Sequence, residues 1–581
     1  MKLIIEFLKN YKKECVLAPL FKMLEALLEL FVPLVVAQII DWGIYNHDKN
    51  YIISRCLILF ILAAVGLAFS VTAQYFAAKS AVGASTAMRK SLFAHIQELG
   101  YKEMDSVGSA TLITRMTSDI NQVQSGINMA LRLFLRSPFV VIGAVVMAFS
   151  IDFKAALIFA VTVPLLALVV FMVMAITKPI YRNVQGSLDH ILNITRENLT
   201  GVRVIRAFHQ EENEKENFFT ANDELTELQK FAGKISGLSN PLTFVIINFS
   251  VIFLVYVGAI RVNVGVLSQG EVVALYNYMS QILVELVKFA NLIVTITKAL
   301  ASMNRIGDIL NLAPEMKEGK SYYNTDEQIS SKNFEDVPMI EFQNVSFRYH
   351  ETGEPAIHHI SFQVKKGETI GIIGGTGSGK STLVNLIPRF YDTTEGKVLL
   401  EGKNVKDYTF SELRNRISVV PQKAQLFAGT IRSNLVLGCP DATQQDLEEA
   451  LDISQSKEFV NTREDGLDAV IEQGGKNLSG GQKQRLTLAR ALVKKSDILI
   501  MDDSASALDY ATDAKLRKAI REMNPKPTVF IVSQRASSIL TADQIIVLDD
   551  GEVVGIGTHE DLLESCKVYR EIYETQFNQE D

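Results

Sequence analysis

The chain has 581 residues, which is too many for one hydrophobic core, so two or more domains are expected. Its net charge of -7 argues against nucleic acid as a partner, because proteins that bind nucleic acid usually carry a strong basic excess. The four cysteines have neither paired nor metal-like spacing, which disfavours a disulfide framework and a zinc site.

Long apolar runs fill the first part of the chain, and six of them are long enough to cross a bilayer, which takes about 20 residues. A short N-terminal elbow helix precedes the predicted spans, which are 15–40, 52–78, 131–150, 155–176, 241–260 and 272–297. The connections after spans 1, 3 and 5 are short, whereas those after spans 2 and 4 are long, polar and helix-favouring. We therefore predict that these two long connections continue the membrane helices beyond the bilayer.

Lysine and arginine residues are concentrated on one side of these spans. Lys9, Lys12 and Lys13 precede the first span, whereas Lys49 is the single lysine or arginine of the outer loop 41–50. Because basic loops stay on the cytoplasmic side of a membrane, both termini and both long connections are predicted to be cytosolic. The chain is thus expected to be a multi-pass protein of the cell membrane.

Two pairs of charged residues lie inside the predicted spans at a spacing of four residues. Glu25 and Glu29 are on span 1, and Arg132 and Arg136 are on span 3, at a similar depth in the bilayer. An unpaired charge there would be costly, so we predict ion pairs between the two helices. A role of these charges in substrate binding is the alternative.

Span 6 carries a second set of polar residues. Glu285 and Lys288 are one turn apart, and Gln281 precedes them on the same helix. A polar stripe of this kind is typical of a helix that faces a central cavity, so these residues are candidates for the transport pathway. Asp41 ends span 1 on the outer side, where a solvated helix end is the simplest interpretation of a single acid.

The sequence pattern changes after the last apolar run. Residues 1–314 form the predicted membrane domain, residues 315–337 are polar and typical of a linker, and residues 338–581 alternate short β-rich runs with helical segments. Alternation of this kind is typical of a mostly parallel sheet. We therefore expect an α-helical membrane domain of six transmembrane helices, followed by an α/β domain.

A phosphate-binding loop follows one of the β-rich runs. The segment fits G-x-x-x-x-G-K-[ST], comes after the apolar run ETIGIIG and leads into a helical segment, which is the context that a Walker A motif requires. Its glycines let backbone N–H groups surround phosphate oxygens, and its lysine reaches the β- and γ-phosphates. We predict that ATP binds through Gly374, Gly375, Thr376, Gly377, Ser378, Gly379, Lys380, Ser381 and Thr382.

An acidic residue ends a second buried run, ILIMD at 498–502. The apolar residues predict a strand, and Asp502 emerges at its end. Together with the hydroxyl of Ser381, this carboxylate would hold the Mg²⁺ that accompanies ATP, in the case of Asp502 through water. An acid after an apolar strand is a weak signal by itself, but it is a strong one in a chain that also has a phosphate loop.

The segment LSGGQ at 478–482, followed by KQRLTLARAL, lies between these two motifs and resembles the signature of ABC transporters. Two further positions agree with that family. Tyr349 matches the aromatic residue that stacks on adenine, and Gln422 matches the glutamine that senses Mg²⁺ and the membrane domain. The resemblance covers essentially the whole chain, and the order of membrane domain then P-loop ATPase domain is that of an exporter half-transporter.

The resemblance implies a dimer in which ATP is held between the phosphate loop of one subunit and the signature of the other. Donors at the N-terminus of the signature helix would contact the γ-phosphate of ATP bound by the second subunit. The residues concerned are Ser479, Gly480, Gly481 and Gln482. Other similarities are a D-loop at 506–509, a loop around Glu472, and two intracellular loops, at 113–119 and 201–208.

Two positions depart from the family pattern. The glutamate that polarises the attacking water is Asp503 here, and a carboxylate set back by about 1 Å can lower the rate about 10²-fold. The switch histidine is Gln534, which can donate a hydrogen bond to phosphate but cannot shuttle a proton. We therefore predict a degenerate site that binds ATP and hydrolyses it poorly. A competent homodimer that uses Asp and Gln is the alternative.

This combination resembles the degenerate-site subunit of bacterial heterodimeric multidrug ABC exporters. The resemblance implies a second ABC half-transporter as partner, whose Walker motifs form the main hydrolytic site and use the intact signature of this chain. It also implies ATP-driven export of a hydrophobic or amphipathic solute, drug-like or lipid-like, through the lipid bilayer, with Asp41 as a candidate extracellular gate. The alternatives are an exporter-shaped importer of a chelator-like solute and a regulatory member in which nucleotide gates a pathway.

Overall fold

The computed structural model describes residues 2–320, 337–350, 352–504 and 508–577. The chain divides into two compact units, one made of Met1–Glu98 and Val107–Leu312, and the other of Leu99–Ser106 and Ala313–Asp581. Most of the predicted linker, residues 321–336, lies outside the described residues, and so does the part of the predicted D-loop up to residue 507.

Six helical segments among the described residues of the first unit are long and apolar enough to cross a membrane, and each contains one predicted span. They are Leu3–Ile44, Lys49–Glu98, Ser109–Ile151, Phe153–Thr200, Glu211–Asn263 and Gln269–Leu310. At about 1.5 Å per residue, the 48 residues of Phe153–Thr200 extend about 72 Å, more than twice the thickness of the hydrocarbon core. The long polar connections are therefore helical, as predicted.

Three of these segments are built from shorter helices. The first is assembled from Lys2–Leu8, Lys9–Tyr11, Lys12–Gln38 and the wider π-helical turn Ile39–Ile44, and the helix Lys2–Leu8 lies where the sequence predicts the elbow helix. The third contains Ser109–Thr114, Arg115–Asp119, Ile120–Leu133 and Arg136–Ile151. The fifth contains Glu211–Gly237 and Ser239–Asn263, and the short helix Val202–Ala207 precedes it.

Only one face of the helix Lys49–Glu98 is buried. Its fully buried apolar residues recur at helical spacing and are mostly small in the first half of this face, as in Ala73, Ala77, Ala81 and Ala84. Small residues let helix backbones approach closely, which is how membrane helices pack when lipid gives no hydrophobic driving force. The apolar residues on the other face, such as Phe60, are exposed, as expected of a surface that faces lipid.

The second unit is built on strands. They are β1 Ile340–Phe347, β2 Ile357–Val364, β3 Thr369–Gly374, β4 Glu395–Leu400, β5 Lys403–Asn404, β6 Ile417–Val420, β7 Gly429–Thr430, β8 Val470–Ile471, β9 Ile498–Asp502, β10 Thr528–Val532, β11 Gln544–Asp549 and β12 Glu552–Gly557. The main sheet has the order β12-β11-β3-β10-β9-β6 and is parallel except for β12. A second sheet, β2-β1-β4-β5, is antiparallel, and β7 pairs with β8.

Helices surround the main sheet, which has a hydrophobic core on each face. Along β9, Ile498 and Ile500 enter one core, whereas Leu499 and Met501 enter the other, so the strand is apolar up to Asp502. The helices are Lys380–Asn385, Phe410–Asn415, Ile431–Leu435, Gln444–Ile453, Lys457–Asn461, Gly480–Val493, Tyr510–Arg521, His559–Ser565 and Lys567–Phe577. Because β3, β9 and β10 are parallel neighbours, their carboxyl ends meet at one edge, where ligands bind in sheets of this kind.

Candidate ATP site

The predicted phosphate loop joins the end of β3 to the helix Lys380–Asn385. Gly377 and Gly379 have φ angles of 86° and 91°, a left-handed backbone that residues with a side chain rarely adopt. A Cβ atom on Gly379 would lie 2.7 Å from the carbonyl oxygen of Ala356, so a side chain has no room there. The backbone path therefore requires glycine at positions 377 and 379.

Three polar side chains meet at the carboxyl ends of β3 and β9. The Nζ atom of Lys380 donates to the carbonyl oxygen of Gly374 at 2.9 Å. The hydroxyl of Ser381 donates to Oδ1 of Asp502 at 2.9 Å, so the two predicted Mg²⁺ ligands are adjacent. The residues present thus fit a nucleotide that carries Mg²⁺, with a cation beside a pair of oxygen ligands.

Burial shifts the pKa of two of these groups in the direction that favours their neutral forms. It lowers the pKa of the Lys380 ammonium and raises the pKa of the Asp502 carboxyl, in the latter case with help from the neighbouring charge of Asp503. A phosphate chain beside the ammonium and a divalent cation beside the carboxyl would each restore the charged form. Both shifts therefore favour a site that is completed by an ionic ligand.

The two departures from the family pattern lie beside this cluster. Asp503 follows β9 with a left-handed φ of 44°, and its N–H donates to the carbonyl oxygen of Val532 at 3.0 Å. The Nε2 atom of Gln422 is 3.4 Å from Oδ2 of Asp503, a long hydrogen bond. Gln534 follows the next strand, β10, and is exposed.

One cavity of about 310 Å³ brings these side chains together. Among the predicted residues that line it are Tyr349, Thr376, Gly377, Gly379, Lys380, Ser381, Thr382, Gln422, Asp502, Asp503 and Gln534. The loop residues Gly374, Gly375 and Ser378 are not among the lining residues. The site predicted from scattered segments of sequence is therefore a single cavity in the second unit.

The predicted adenine platform stands at one side of the cavity. The hydroxyl of Tyr349 lies 3.0 Å from Oγ1 of Thr382, which is on the helix after the phosphate loop. The ring of Tyr391 packs edge-on against the ring of Tyr349, with 5.3 Å between the centroids. Both contacts fix the orientation of the Tyr349 ring.

The signature segment does not line this cavity. Ser479 caps the helix Gly480–Val493: its hydroxyl accepts from the N–H of Gln482 at 3.3 Å, and its own N–H donates to Oε1 of Gln482 at 3.0 Å. Ser479 and Gly480 are exposed, whereas Gly481 and Gln482 are half-buried. The helix N-terminus is thus shaped within the chain and lies outside the lining of the chain's own ATP cavity.

The charged residues of the first unit form a network around Arg136. Its guanidinium donates to Oε1 of Glu285 and to Oε2 of Glu29, each at 2.6 Å. The hydroxyl of Ser137 donates to Glu285 at 2.8 Å, and Nζ of Lys288 donates to Oε1 of Glu285 at 2.9 Å. Three membrane helices are therefore joined by one cluster of charges.

The predicted pairing of acids with arginines holds only in part. Glu29 pairs with Arg136, but Glu25 pairs with Lys22 on its own helix at 2.5 Å, because a lysine one turn away is nearer than the next helix. Glu285, a member of the predicted polar stripe, is 4% exposed and bound by Arg136, so it is held within this cluster. Of the other members of that stripe, Lys288 is half-exposed, and the Oε1 atom of Gln281 is buried without a partner among the described residues.

Asp41 is not a solvated helix end. Its carboxylate accepts from the N–H of Gly270 at 2.7 Å and from the hydroxyl of Ser268 at 2.5 Å. These groups stand at the N-terminus of the helix Gln269–Leu310, where an acid is favoured by the helix dipole. Asp41 thus joins the end of the first span to the start of the last one.

Sequence reasoning missed a short helix whose side chains contact two aromatic residues of the second unit. The short helix Tyr101–Val107 begins inside the second unit, where the ring of Tyr101 lies 4.6 Å from that of Phe390 and Asp105 accepts from the hydroxyl of Tyr391 at 2.9 Å. The predicted intracellular loop 113–119 belongs to the first unit instead. An aromatic residue followed by acids in a helical connection was the available signal, but it is not specific.

Comparison with known proteins places the chain in a family. It matches the family model of the ABC transporter transmembrane region over residues 15–286 and that of the ABC transporter over residues 357–506. The ABC transporter ATP-binding protein YfiB of Bacillus subtilis (strain 168) is 36% identical over 580 residues, which are 100% of this chain and 99% of the relative. The ATP-dependent lipid A-core flippase of Hahella chejuensis is 32% identical over 527 residues, 90% and 88% of the two chains.

A solved structure agrees in fold over almost the whole length. The structure of a bacterial Atm1-family ABC exporter with ATP bound superimposes with a TM-score of 0.77 at 22% identity, and the match covers 97% of this chain and 98% of that one. The fold match includes both the six apolar helical segments and the strand-built unit with its phosphate loop. The chain therefore belongs to the ABC transporter family and is an ATP-hydrolysing, multi-pass membrane transporter of the exporter type, with fused transmembrane and ATPase domains.

Proposed function

We propose that this chain is one half of a heterodimeric exporter, in which it binds MgATP at a degenerate site and lends its signature to the competent site of a second half-transporter. One observation carries the proposal. Asp503 and Gln534 line the same cavity as Lys380, Ser381 and Asp502, so the changes affect the groups that act on water and leave those that hold nucleotide.

The backbone of Asp503 supports poor hydrolysis at this site. Its N–H is bound to Val532 at 3.0 Å, so the shorter side chain cannot be compensated by an advance of the main chain. A carboxylate that stops about 1 Å short of the attacking water can cost about 10²-fold in rate. The amide of Gln534 adds to this loss, since it can donate to a phosphate oxygen but cannot carry a proton.

The exposed signature supports the second part of the proposal. Ser479 shapes a helix N-terminus whose donors lie outside the chain's own cavity, so they are available to nucleotide held by another subunit. In this arrangement Tyr349 supports adenine, Lys380 contacts the phosphates, and Ser381, Gln422 and Asp502 hold Mg²⁺. ATP then joins the two ATPase domains, and the partner supplies most of the turnover.

The transported solute is proposed to be hydrophobic or amphipathic, drug-like or lipid-like. Similarity to proteins named lipid A-core flippases supports a lipid-like solute. We propose a membrane domain at 1–314, a linker at 315–337 and an ATPase domain at 338–581, with both termini in the cytosol of a cell whose plasma membrane holds the transporter. Gln281, Glu285 and Lys288 are proposed for the transport pathway, and Asp41 for an extracellular gate.

ATP hydrolysis by the full-length chain in lipid nanodiscs, without a partner, tests the proposal. We expect the chain to bind MgATP and turn over far below the roughly 10 per second of a typical enzyme, and the double variant Asp503→Glu with Gln534→His to gain about 10²-fold or more. Asp550→Glu is the matched control, because Asp550 follows β11, another strand of the same sheet, with a similar φ of 43°. Full turnover by the unaltered chain, with no gain in the double variant, would establish a competent homodimer.

A further inference from the structure

The loop that carries Gln534 is fixed at several points of its backbone. The N–H of Ser533 donates to the carbonyl oxygen of Ile372 in β3 at 3.1 Å. The N–H of Arg535 donates to the hydroxyl of Ser533 at 2.9 Å, and the guanidinium of Arg517 donates to the carbonyl oxygen of Ser537 at 2.9 Å. These bonds hold the start and the far side of the loop, but none of them holds the peptide groups on either side of Gln534 against another element.

A residue of the last helix provides that connection. The Nε2 atom of Gln576 donates to the carbonyl oxygen of Gln534 at 2.7 Å, and its Oε1 atom accepts from the N–H of Ala536 at 2.8 Å. One side-chain amide thus satisfies a backbone acceptor and a backbone donor two residues apart. Ala536 is fully buried, so its N–H has no access to water as an alternative partner.

The helix Lys567–Phe577, which carries Gln576, is itself anchored. The side chain of Tyr569 is fully buried, and its hydroxyl lies 2.8 Å from Nδ1 of His559 in the preceding helix. Burial raises the pKa of Tyr569 to about 12, so this hydroxyl stays neutral at any physiological pH. Tyr573 and Phe577, which precede and follow Gln576 in the sequence, stack their rings with 4.5 Å between the centroids.

We propose that Gln576 is a positioning residue of the ATP site, which holds the backbone of Gln534 so that its side-chain amide faces the γ-phosphate. This inference rests on the proposed role of Gln534 in the site. The inference gives the last helix, Lys567–Phe577, a function in nucleotide retention. This helix is not part of any of the sequence motifs of the ATPase domain. The amide suits this role because its donor and its acceptor are on separate atoms, so it can bind a carbonyl oxygen and an N–H together.

Two substitutions separate this role from helix packing. Gln576→Ala removes both hydrogen bonds. Gln576→Glu keeps an acceptor for the N–H of Ala536 but turns an oxygen toward the carbonyl oxygen of Gln534, so it removes the contact with the Gln534 peptide alone. Glu574→Ala is the matched control, since residue 574 is exposed on the same helix and points about 200° away from residue 576.

The test measures retention of doubly labelled MgATP by the full-length chain in lipid nanodiscs, with one label on the α-phosphate and one on the γ-phosphate. We expect Gln576→Ala and Gln576→Glu to shorten the half-life of bound nucleotide about tenfold, equivalent to about 1.4 kcal/mol, and Glu574→Ala to leave it unchanged. In a Gln534→Ala background, the same Gln576 substitutions should have almost no further effect, because the side chain that they position is absent.

The outcomes distinguish this inference from the proposed function. Equal losses from Gln576→Ala with and without Gln534 would show that Gln576 acts only on folding, and the inference would be wrong. The same holds if Gln576→Glu retains nucleotide like the unaltered chain. Rapid release of the γ-label alone would overturn the degenerate site, while the coupling between positions 576 and 534 would still stand.

Discussion

Removal of Arg136 is expected to destabilise the membrane unit strongly. Arg136→Met keeps an unbranched apolar stem, shorter than that of arginine, and removes the guanidinium, so both ion pairs are lost. The side chain of Arg136 is 8% exposed and that of Glu285 is 5% exposed, so this pair is shielded from water. The change leaves the carboxylate of Glu285 buried without its main counter-charge.

The magnitude follows from the burial of each partner. Removing one member of a buried ion pair typically costs about 3 to 5 kcal/mol, because the remaining charge is left without compensation. Ser137 and Lys288 continue to bind Glu285, at 2.8 and 2.9 Å, which favours the lower end of about 3 kcal/mol. Glu29 is 44% exposed, so its pair with Arg136 adds no more than about 1 kcal/mol.

Thermal unfolding of the purified chain in lipid nanodiscs measures the effect. At about 2 °C per kcal/mol for a large domain, Arg136→Met should lower the melting temperature by about 6 to 8 °C, and Glu29→Gln by about 2 °C or less. The double variant Arg136→Met with Glu285→Gln should recover part of the loss, because it removes the uncompensated charge. The reasoning is refuted if Arg136→Met and Glu29→Gln lower the melting temperature equally, or if the double variant is less stable than Arg136→Met alone.

Two further predictions concern the ATP site. Tyr349→Phe keeps the ring and loses only the hydroxyl contact with Thr382, so the Kd of MgATP should rise less than about fivefold. Tyr349→Ala loses stacking worth about 1 to 3 kcal/mol and should raise the Kd about 5- to 150-fold. Equal losses for the two variants, in titrations with a fluorescent ATP analogue, would contradict the adenine platform. Burial raises the pKa of Asp502, so MgATP affinity should fall on acidification at a higher pH than for an ordinary aspartate, and Asp502→Asn should abolish this step. Without nucleotide the sign reverses: the raised pKa favours the folded state in acid, and this contribution is lost as the pH rises through it.

Much of the ATP site could be predicted because most of its residues belong to short contiguous motifs. The loop from Gly374 to Ser381 needs glycines where φ is positive and a lysine at the start of a helix, and each requirement concerns neighbours along the chain. Asp502 could be placed next to Ser381 because parallel strands end at one edge of a sheet. The six membrane segments were equally accessible, since a bilayer selects for length and apolar composition, which need no knowledge of packing.

The partners of individual side chains could not be predicted in this way. The sequence places Glu25 and Glu29 on one helix face, yet one pairs with Lys22 and the other with Arg136, because small differences in helix rotation decide which cation is nearest. Asp41 and the N-terminus of the last membrane helix are more than 200 residues apart, and only their proximity in space turns a helix-end acid into a cap.

Sequence by itself therefore determined the class of the protein, the number of its membrane segments and most of the residues that line the candidate ATP cavity. Tertiary structure alone decided that Tyr101 and Asp105 belong to the second unit, and that Gln576 binds the carbonyl oxygen of Gln534. The reason is physical. A motif reflects local backbone geometry and chemistry, whereas a contact between distant residues depends on the relative placement of whole elements, which no short segment encodes.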